Sequence, residues 1–313
     1  MKLLLLNPNT SASVTQLMTD VGQRAAAPGT ELVPCTASRG VPYIATRTEA
    51  QIGGAIALEM LAEQHTKVDA AIIAAFGDPG LFAARETFDI PVIGLAEAAM
   101  LTACMAGRRF AIVTFAQALG PWYEECVRDH GLRERCAGIR MLDTPFKAIS
   151  EVGTEKEDLL VDLAQRAIVE DEADVLIFAG APLSGLAERV ADRIPVPVVD
   201  QVVAAVKQAE ALVALRLRKA TAGTFRRPAA KPTTGLADAL GARLEHRDSC
   251  QRGGRRCEKP NSFSMARPKA NRRDSQPGGA MIWIPNGSSF ASRRTGKVRT
   301  GKPTSDTMKV TAR

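Results

Sequence analysis

Apolar residues follow two alternating patterns from residue 1 to about residue 215. Short uninterrupted apolar runs end at Gly, Pro or small polar residues, which is typical of buried strands. Between these runs, apolar residues recur every three to four positions, which predicts amphipathic helices. Strands that alternate with helices predict a parallel sheet covered by helices, and therefore an α/β fold. The predicted strands are 2–7, 31–35, 70–76, 91–95, 109–115, 138–142, 174–179 and 197–200, and the main predicted helices are 13–24, 49–64, 82–87, 96–105, 122–128, 156–170 and 183–193.

The two halves of this region share one order of features. A strand runs into a Gly/Pro turn at 74–81, and a helix then leads to a Pro-Val strand at 91–94. The same order recurs at 178–186 and 197–200. Such a repeat predicts two pseudo-symmetric α/β lobes, each a four-stranded, mainly parallel sheet flanked by helices, with an active-site cleft between them. The predicted first lobe comprises 1–96 and 201–246, and the predicted second lobe comprises 97–200.

Positive charge is concentrated at the end of the chain. Residues 247–313 hold 16 Lys and Arg against 4 Asp and Glu, which leaves 25 basic and 30 acidic residues for 1–246. The tail is rich in Ser, Gly and Pro and has little apolar periodicity. It therefore cannot bury enough apolar surface to offset its ordering entropy, and we predict that it is disordered. Because it lacks the regularly interleaved aromatic residues of a single-strand platform, we predict no nucleic-acid partner despite the charge.

The remaining composition limits the class of protein. The first apolar run stops at Asn7, short of the roughly 7 to 15 apolar residues of a secretion signal. No stretch reaches the about 20 apolar residues of a membrane span, so we expect a cytoplasmic protein with no membrane partner. The six cysteines form no C-x-x-C pair and there are three histidines, so neither a metal centre nor a disulfide framework is predicted.

Four loops follow predicted strands, at the position where ligands bind in open α/β sheets. The polar loop 7–11 can either cap the next helix or hold a carboxylate, and both interpretations stay open. The loop 77–80 has two glycines that would let a ligand approach the backbone, although a plain strand-to-helix turn has the same composition. The third loop is 114–117. The fourth, 180–185, faces 77–80 by the internal repeat, so the cleft would present donors from both lobes to one small anion.

Together these motifs resemble the aspartate/glutamate/hydantoin racemase family, and its hydantoin racemase branch in particular. Segments 1–11, 76–81, 91–98 and 110–114 carry the resemblance, which extends over about residues 1–246. The resemblance implies a cofactor-free homo-oligomeric enzyme that inverts an α-carbon. In the family one cysteine thiolate removes a proton and a second thiol donates another. The two come from opposite lobes because inversion needs an acid and a base on opposite faces of one carbon.

The chain departs from the family at both thiol positions. The family cysteines would fall at Ala75 and Gly180, and neither side chain can transfer a proton. Asp78 is the candidate replacement base, since an apolar cleft can raise the pKa of a carboxylate; its alternative role is to cap the following helix. Glu97 and Asp200 have the same two interpretations. The predicted substrate-binding residues are Asn7, Asn9, Thr10, Tyr43, Phe76, Gly77, Thr114, Gly180 and Ala181, and Cys35, Cys104, Cys126 and Cys136 are interpreted as structural thiols.

Three functions stay open at this point. The first is a racemase-family isomerase that acts on an amino acid or a hydantoin with altered proton-transfer groups. The second is a cofactor-free lyase or decarboxylase on the same fold. The third is a non-catalytic protein that binds a small anion. In each case we expect a small carboxylate or hydantoin ligand, no cofactor and no metal.

Overall fold

The computed structural model describes residues 1–248, and within them the chain forms eight strands and ten α-helices. All eight predicted strands are present, so the predicted α/β class is confirmed. The predicted tail lies outside the described residues from 249 onward. The strands are β1 (Lys2–Asn7), β2 (Glu31–Thr36), β3 (Ala70–Ile73), β4 (Val92–Gly94), β5 (Phe110–Thr114), β6 (Cys136–Met141), β7 (Val175–Ala179) and β8 (Val198–Asp200). The helices are α1 (Ala12–Ala25), α2 (Arg47–Gln64), α3 (Leu81–Thr87), α4 (Leu95–Ala106), α5 (Gly120–Asp129), α6 (Val152–Glu155), α7 (Glu157–Glu170), α8 (Leu186–Arg189), α9 (Gln201–Leu215) and α10 (Asp238–Leu244).

The strands form two parallel sheets with the same internal order. The first sheet has the order β2-β1-β3-β4 and the second has the order β6-β5-β7-β8. All six neighbouring pairs within these sheets are parallel. Each strand of the first sheet therefore has a counterpart at the same place in the second, as the internal repeat predicts.

Strand β1 shows why an unbroken apolar run was the right signal. Its four leucines, Leu3 to Leu6, are completely buried. Leu3 and Leu5 join a large core that reaches the second sheet, whereas Leu4 and Leu6 pack with Ala57 and Leu61 of α2. Side chains alternate between the two faces of a strand, so both faces of β1 are covered, which is typical of parallel sheets.

Helices α4 and α9 join the two sheets. Helix α4 follows β4 but packs against β7 and β8 of the second sheet. Helix α9 follows β8 but packs against β3 and β4 of the first, and the two helices also pack against each other. The carboxyl ends of β3 and β7 thereby face one another. The exact lobe boundaries at 96/97 and 200/201 stay a prediction.

The largest departure from the predicted elements is at 183–193. Instead of one helix, the chain has the single-turn α8 between two short 3-10 turns. Gly185 interrupts the segment because its φ is 81°, in the left-handed region that cannot continue a helix. The Asp200 carboxylate holds this conformation by accepting the Gly185 N–H at 2.6 Å. Strand β3 is also shorter than expected, since the chain leaves the sheet after Ile73.

Residues 216–248 pack on helices that flank the first sheet. Helix α10 packs on α2, and the buried Arg243 donates to the Thr87 carbonyl at the end of α3. Arg243 also pairs with Asp89 and Asp248, at 2.9 and 2.6 Å. Along residues 1–248, no helix is long and apolar enough to cross a bilayer.

Candidate functional site

A small pocket lies between the two sheets, at the carboxyl ends of β1, β3, β5 and β7. Its volume is about 30 Å³, which is room for one or two water molecules, so the pocket is nearly closed. Ligands of parallel α/β folds bind at this end of the strands. The lining residues are Asn9, Val14, Tyr43, Ile44, Ala75, Phe76, Phe115, Leu119, Trp122, Tyr123, Ile149, Gly180, Ala181 and Pro182.

The structure brings the two family thiol positions, Ala75 and Gly180, to one pocket. Gly180 has a φ of 112°, a conformation that residues with a side chain rarely adopt. A Cβ atom added to Gly180 would lie 2.7 Å from Cε1 of Phe115, which is closer than van der Waals contact allows. The Phe115 ring therefore fills the space that a cysteine side chain at 180 would need.

Gln201, the first residue of α9, holds the backbone of Gly180. Its side chain is fully buried, its Oε1 accepts the Gly180 N–H at 3.1 Å, and its Nε2 donates to the Gly180 carbonyl. Asp200 caps α9 by accepting the N–H groups of Val202 and Val203. The capping interpretation of Asp200 thus agrees with its contacts, and burial raises the pKa of this carboxyl. Sequence reasoning missed Gln201 because it reads as an ordinary first-turn residue.

Aromatic rings form much of the pocket wall. The Phe76 and Tyr123 centroids are 4.8 Å apart, and those of Trp122 and Tyr123 are 5.7 Å apart. The whole chain has two Trp and two Tyr, and both tyrosines and one tryptophan are here. Burial raises the pKa of Tyr123, so its phenol is neutral at physiological pH. The Tyr123 hydroxyl bonds Thr114, whose own hydroxyl donates to the Ala179 carbonyl at 2.8 Å.

The turn after β1 is closed by its own side chains. Asn7 is fully buried, and its Nδ2 donates to Asn9 Oδ1 at 3.0 Å and to Thr15 Oγ1 at 2.9 Å. Asn9 Oδ1 also accepts the Ser11 N–H, and the Ser11 side chain caps α1. These contacts agree with the capping interpretation of loop 7–11. Asn9 is the one residue of this loop that lines the pocket.

Asp78 lies behind the pocket, outside its lining. Its Oδ1 accepts the Ala96 N–H and its Oδ2 accepts the Glu97 N–H, both at 2.8 Å. The carboxylate thus caps α4, where a negative charge also suits the helix dipole, and not α3, the helix that follows it directly. Its Oδ2 also contacts His130 Nε2 at 3.1 Å. These contacts agree with a structural role for Asp78 and leave its proposed role as a base untested.

His130, at the end of α5, connects Asp78 to a second carboxylate. Its Nδ1 is 3.5 Å from Glu97 Oε1, and Arg85 forms a two-point ion pair with Glu97. Burial would lower the pKa of His130, but the two carboxylates raise it to about 9. Burial likewise would raise the pKa of Glu97, but His130 and Arg85 lower it to about 2. The imidazolium is therefore a charged link between α5 and the start of α4.

The glycines of loop 77–80 lie close to other parts of the chain, namely Trp122 and helix α2. A Cβ atom on Gly77 would lie 2.4 Å from the Trp122 ring, and one on Gly80 would lie 2.9 Å from the Gly54 carbonyl oxygen of α2. Both glycines also line a second cavity of about 440 Å³, so the approach of a ligand to this backbone stays a prediction. They allow the indole and α2 to pack on the loop.

The predicted site residues divide into two groups. Asn9, Tyr43, Phe76, Gly180 and Ala181 line the pocket, whereas Asn7, Thr10, Gly77 and Thr114 do not. None of the four cysteines within residues 1–248 lines it either, and burial raises the pKa of Cys126 and Cys136, as expected for structural thiols.

The lining defines what chemistry the pocket can support. Among its described residues no side chain is charged, and the polar groups are the Asn9 amide and the phenols of Tyr43 and Tyr123. Such a site can stack a flat ring and exchange a few hydrogen bonds with it. Sequence reasoning missed Phe115, Trp122 and Tyr123 as a set, although the clustering of scarce aromatic residues was the available signal.

The chain is similar to proteins named as racemases. A family model described as Asp/Glu/Hydantoin racemase matches residues 3–209. Hydantoin racemase of Paenarthrobacter aurescens is 33% identical over 233 residues, which are 74% of this chain and 99% of that protein. The structure of allantoin racemase from Klebsiella pneumoniae matches with a TM-score of 0.73 at 33% identity, over 77% of this chain and 99% of that chain. An arylmalonate decarboxylase variant in its liganded form is 17% identical with a TM-score of 0.51, over 68% of this chain and 92% of that chain, and shares the fold alone.

Proposed function

The chain belongs to the Asp/Glu/hydantoin racemase family, and from this membership we propose that its pocket binds a small cyclic amide of the hydantoin class. Two relatives at 33% identity carry hydantoin and allantoin in their names. This chain covers almost their whole length, so the comparison includes every element around the pocket.

The pocket lining supports a ring over a free amino acid. An ammonium or carboxylate group would lose its hydration among uncharged side chains and find no charged partner there. A neutral cyclic amide carries less of this cost. Its flat faces suit the rings of Phe76 and Tyr123, and its amide groups can bond the Asn9 side chain.

We further propose that the chain binds this ligand without the thiol-based racemisation of its family. The observation that carries this proposal is the packing at Gly180: Phe115 fills the space of the missing side chain, and Gln201 clamps the backbone in a glycine conformation. The opposite position, Ala75, is an uncharged methyl group. A two-base inversion needs an acid and a base across one carbon, and neither family position supplies one.

Racemisation by other groups is the second candidate, and one distance favours it. The Tyr123 hydroxyl lies 3.5 Å from where a Cβ atom of residue 180 would be, so a phenol stands beside the second thiol position. Burial raises the pKa of Tyr123 and makes it a weak acid. Tyr43 is the other titratable side chain of the lining. A lyase reaction has only the shared fold in its favour, at 17% identity.

Proton NMR in D2O tests both proposals in one sample. The panel contains 5-substituted hydantoins, allantoin and the matching amino acids, and exchange of the α-proton is followed while saturation transfer reports binding. We expect saturation transfer to the cyclic amides, weaker transfer to the amino acids, and no exchange above the buffer rate. Absence of transfer to any ring compound would rule out the binding proposal.

Two variants make the exchange result decisive. If the natural protein exchanges the α-proton and Tyr123→Phe does not, proton transfer that depends on the phenol replaces the non-catalytic interpretation. The restoring variant Ala75→Cys/Gly180→Cys/Phe115→Leu returns both thiols and makes space for the second one. Exchange by this variant alone would support an intact pocket that has lost its proton-transfer groups.

A further inference from the structure

A second group of reactive side chains lies on the side of loop 77–80 away from the pocket. Asp78, Cys126 and His130 each offer one ligand atom, and these three atoms all lie within 4.8 Å of one another. The side chains of Asp78 and His130 are 2% and 5% exposed, and Cys126 is buried. Side chains of three different donor types, nitrogen, sulfur and oxygen, thus converge at one buried point.

The spacing of these residues suits a metal ion. Cys126 and His130 are four residues apart at the end of α5, so they share one face of the helix. Two ligands about 2.0 Å from a tetrahedral zinc ion are roughly 3.3 Å apart. The distance from His130 Nε2 to Asp78 Oδ2 is 3.1 Å, close to that edge length. The Cys126 sulfur lies within 4.8 Å of these two atoms and would have to approach them to roughly 3.5 Å to occupy the third position.

The surroundings hold two of the ligands in place. The other ring nitrogen of His130 faces Glu97, which is itself held by Arg85. A carboxylate on the second nitrogen is the usual partner of a metal-binding histidine, since it fixes the ring orientation. Asp78 keeps Oδ1 on the Ala96 N–H, while Oδ2 accepts the Glu97 N–H and also faces the histidine. The carboxylate and the imidazole are therefore oriented before any ion arrives.

A cavity gives an ion access to this point. Its volume is about 440 Å³, and Asp78, Cys126 and His130 form part of its wall together with Asp129. Water in this cavity can supply the fourth ligand, which three-ligand zinc sites leave open.

We propose that Asp78, Cys126 and His130 form a zinc-class metal site that joins α5 to the loop after β3. The sequence analysis predicted no metal centre because the cysteines form no C-x-x-C pair and the chain has three histidines. Cys126 and His130 have no third ligand nearby in sequence. The fold supplies that ligand from the other half of the chain. The site lies outside the ligand pocket, so its role is to fix the loop rather than to contact the bound ligand.

A bound metal ion would take the place of two protons, one on the Cys126 thiol and one on the His130 ring. In the metal-free chain the His130 imidazole carries a proton between two carboxylates, and burial raises the pKa of the Cys126 thiol. Coordination of Zn²⁺ requires the thiolate and the neutral imidazole, so one proton leaves the sulfur and one leaves the ring. The affinity therefore rises with pH, and binding releases two protons per ion.

The test uses the full chain with Cys250→Ser and Cys257→Ser, which removes the tail thiols as competing ligands. Zinc is removed with a chelator, Co²⁺ is titrated in, and absorption is recorded together with the bound metal per chain by elemental analysis. We expect one ion per chain, the intense visible bands of tetrahedral cobalt and a thiolate-to-cobalt charge-transfer band in the near ultraviolet. Zn²⁺ should displace the cobalt and raise the Tm.

Cys126→Ser and Cys104→Ser form the matched pair. Cys104 lies on α4 outside the cluster, so its variant should keep the charge-transfer band, whereas Cys126→Ser should lose it while circular dichroism shows a folded chain. His130→Gln should weaken cobalt binding at least tenfold. A chain that binds less than a tenth of an equivalent at micromolar Co²⁺, or a band that persists in Cys126→Ser, overturns the proposal.

Discussion

Gly180 and Phe115 pack against each other in a way that depends on both residues. The φ of 112° at Gly180 is accessible to glycine, and the phenylalanine ring occupies the space beside it. A side chain at 180 would meet both a backbone strain of about 1–3 kcal/mol and a clash with the ring. At Ala75 no such barrier exists, because that residue already carries a Cβ atom.

Gly180→Cys should therefore lower the free energy of unfolding by about 2–6 kcal/mol, the sum of strain and overpacking. Ala75→Cys, the matched control, should change it by less than about 1 kcal/mol. Urea unfolding followed by circular dichroism measures both. Adding Phe115→Leu to Gly180→Cys should recover part of the loss, and no recovery would mean that Phe115 is not the obstacle.

His130 makes a pH-dependent contribution to the free energy of unfolding. Its pKa is about 9 in the folded chain against 6.5 ordinarily, so its stabilisation is complete below pH 6.5 and is lost as the pH rises through 9. Glu97 behaves in the opposite sense, since its pKa of about 2 lies below the ordinary 4.5. Its stabilisation is present above pH 4.5 and is lost as the pH falls towards 2.

His130→Gln separates this contribution from the rest of the molecule. With chelator present, the unfolding free energy of the natural chain should exceed that of the variant most at pH 5–6 and converge towards it between pH 6.5 and 9. Chemical unfolding across this range is the measurement. Parallel curves for the two proteins would show that His130 is not charged in the folded state.

At the scale of single elements, α9 carries more of the site than its sequence suggests. Asp200 caps the helix and holds Gly185, and Gln201 holds Gly180. One helix N-terminus thus fixes both special glycine conformations in the segment that follows β7.

Gln201→Leu should lower the free energy of unfolding by about 1–3 kcal/mol, because the buried Gly180 N–H loses its acceptor, whereas the Gly180 carbonyl keeps the Leu183 N–H at 2.8 Å. It should also weaken ligand binding by releasing the Gly180 peptide. Gln208→Leu, on the same helix and partly exposed, is the control and should stay within about 0.5 kcal/mol. Equal stability of the two variants in urea would show that the Gln201 side chain does not fix the Gly180 backbone.

Elements with a strong local signal were predictable, and those set by tertiary contacts were not. The leucines of β1 and the periodicity of α2 can be recognised in the sequence. The paired turns that define the internal repeat can be recognised as well. The segment 183–193 has helical periodicity, but Asp200 pulls Gly185 into a left-handed turn from 15 residues away. The pocket residues Phe115 and Trp122 were missed for the same reason, since only the fold brings them to Ala75.

At the scale of the whole molecule, contacts distant in sequence join the two sheets. Helices α4 and α9 cross between them, and Arg47 of α2 pairs with Glu125 of α5 at 2.6 Å. Residues 216–248 then return to the first sheet, where Arg243 is 3% exposed and donates to Thr87. The last part of the described chain is thus integrated into the fold and is not an appendage.

Arg243→Met should lower the free energy of unfolding by about 2–4 kcal/mol, since it leaves the Thr87 carbonyl without its donor and breaks the ion pairs with Asp89 and Asp248, of which Asp248 keeps Arg227. Arg247→Met removes an exposed ion pair with Glu245 and should cost less than about 1 kcal/mol. Thermal and urea unfolding of both variants gives the comparison. If Arg243→Met costs no more than Arg247→Met, the 216–248 segment contributes little to stability.

A pocket of about 30 Å³ also has a kinetic consequence. A hydantoin ring cannot enter it until the side chains at the rim, such as the half-exposed Tyr43, move aside. Association should then saturate with ligand concentration in stopped-flow traces, because opening of the pocket and not diffusion limits the rate. Dissociation should be slow for the same reason, so a ligand of modest affinity would still have a long residence time.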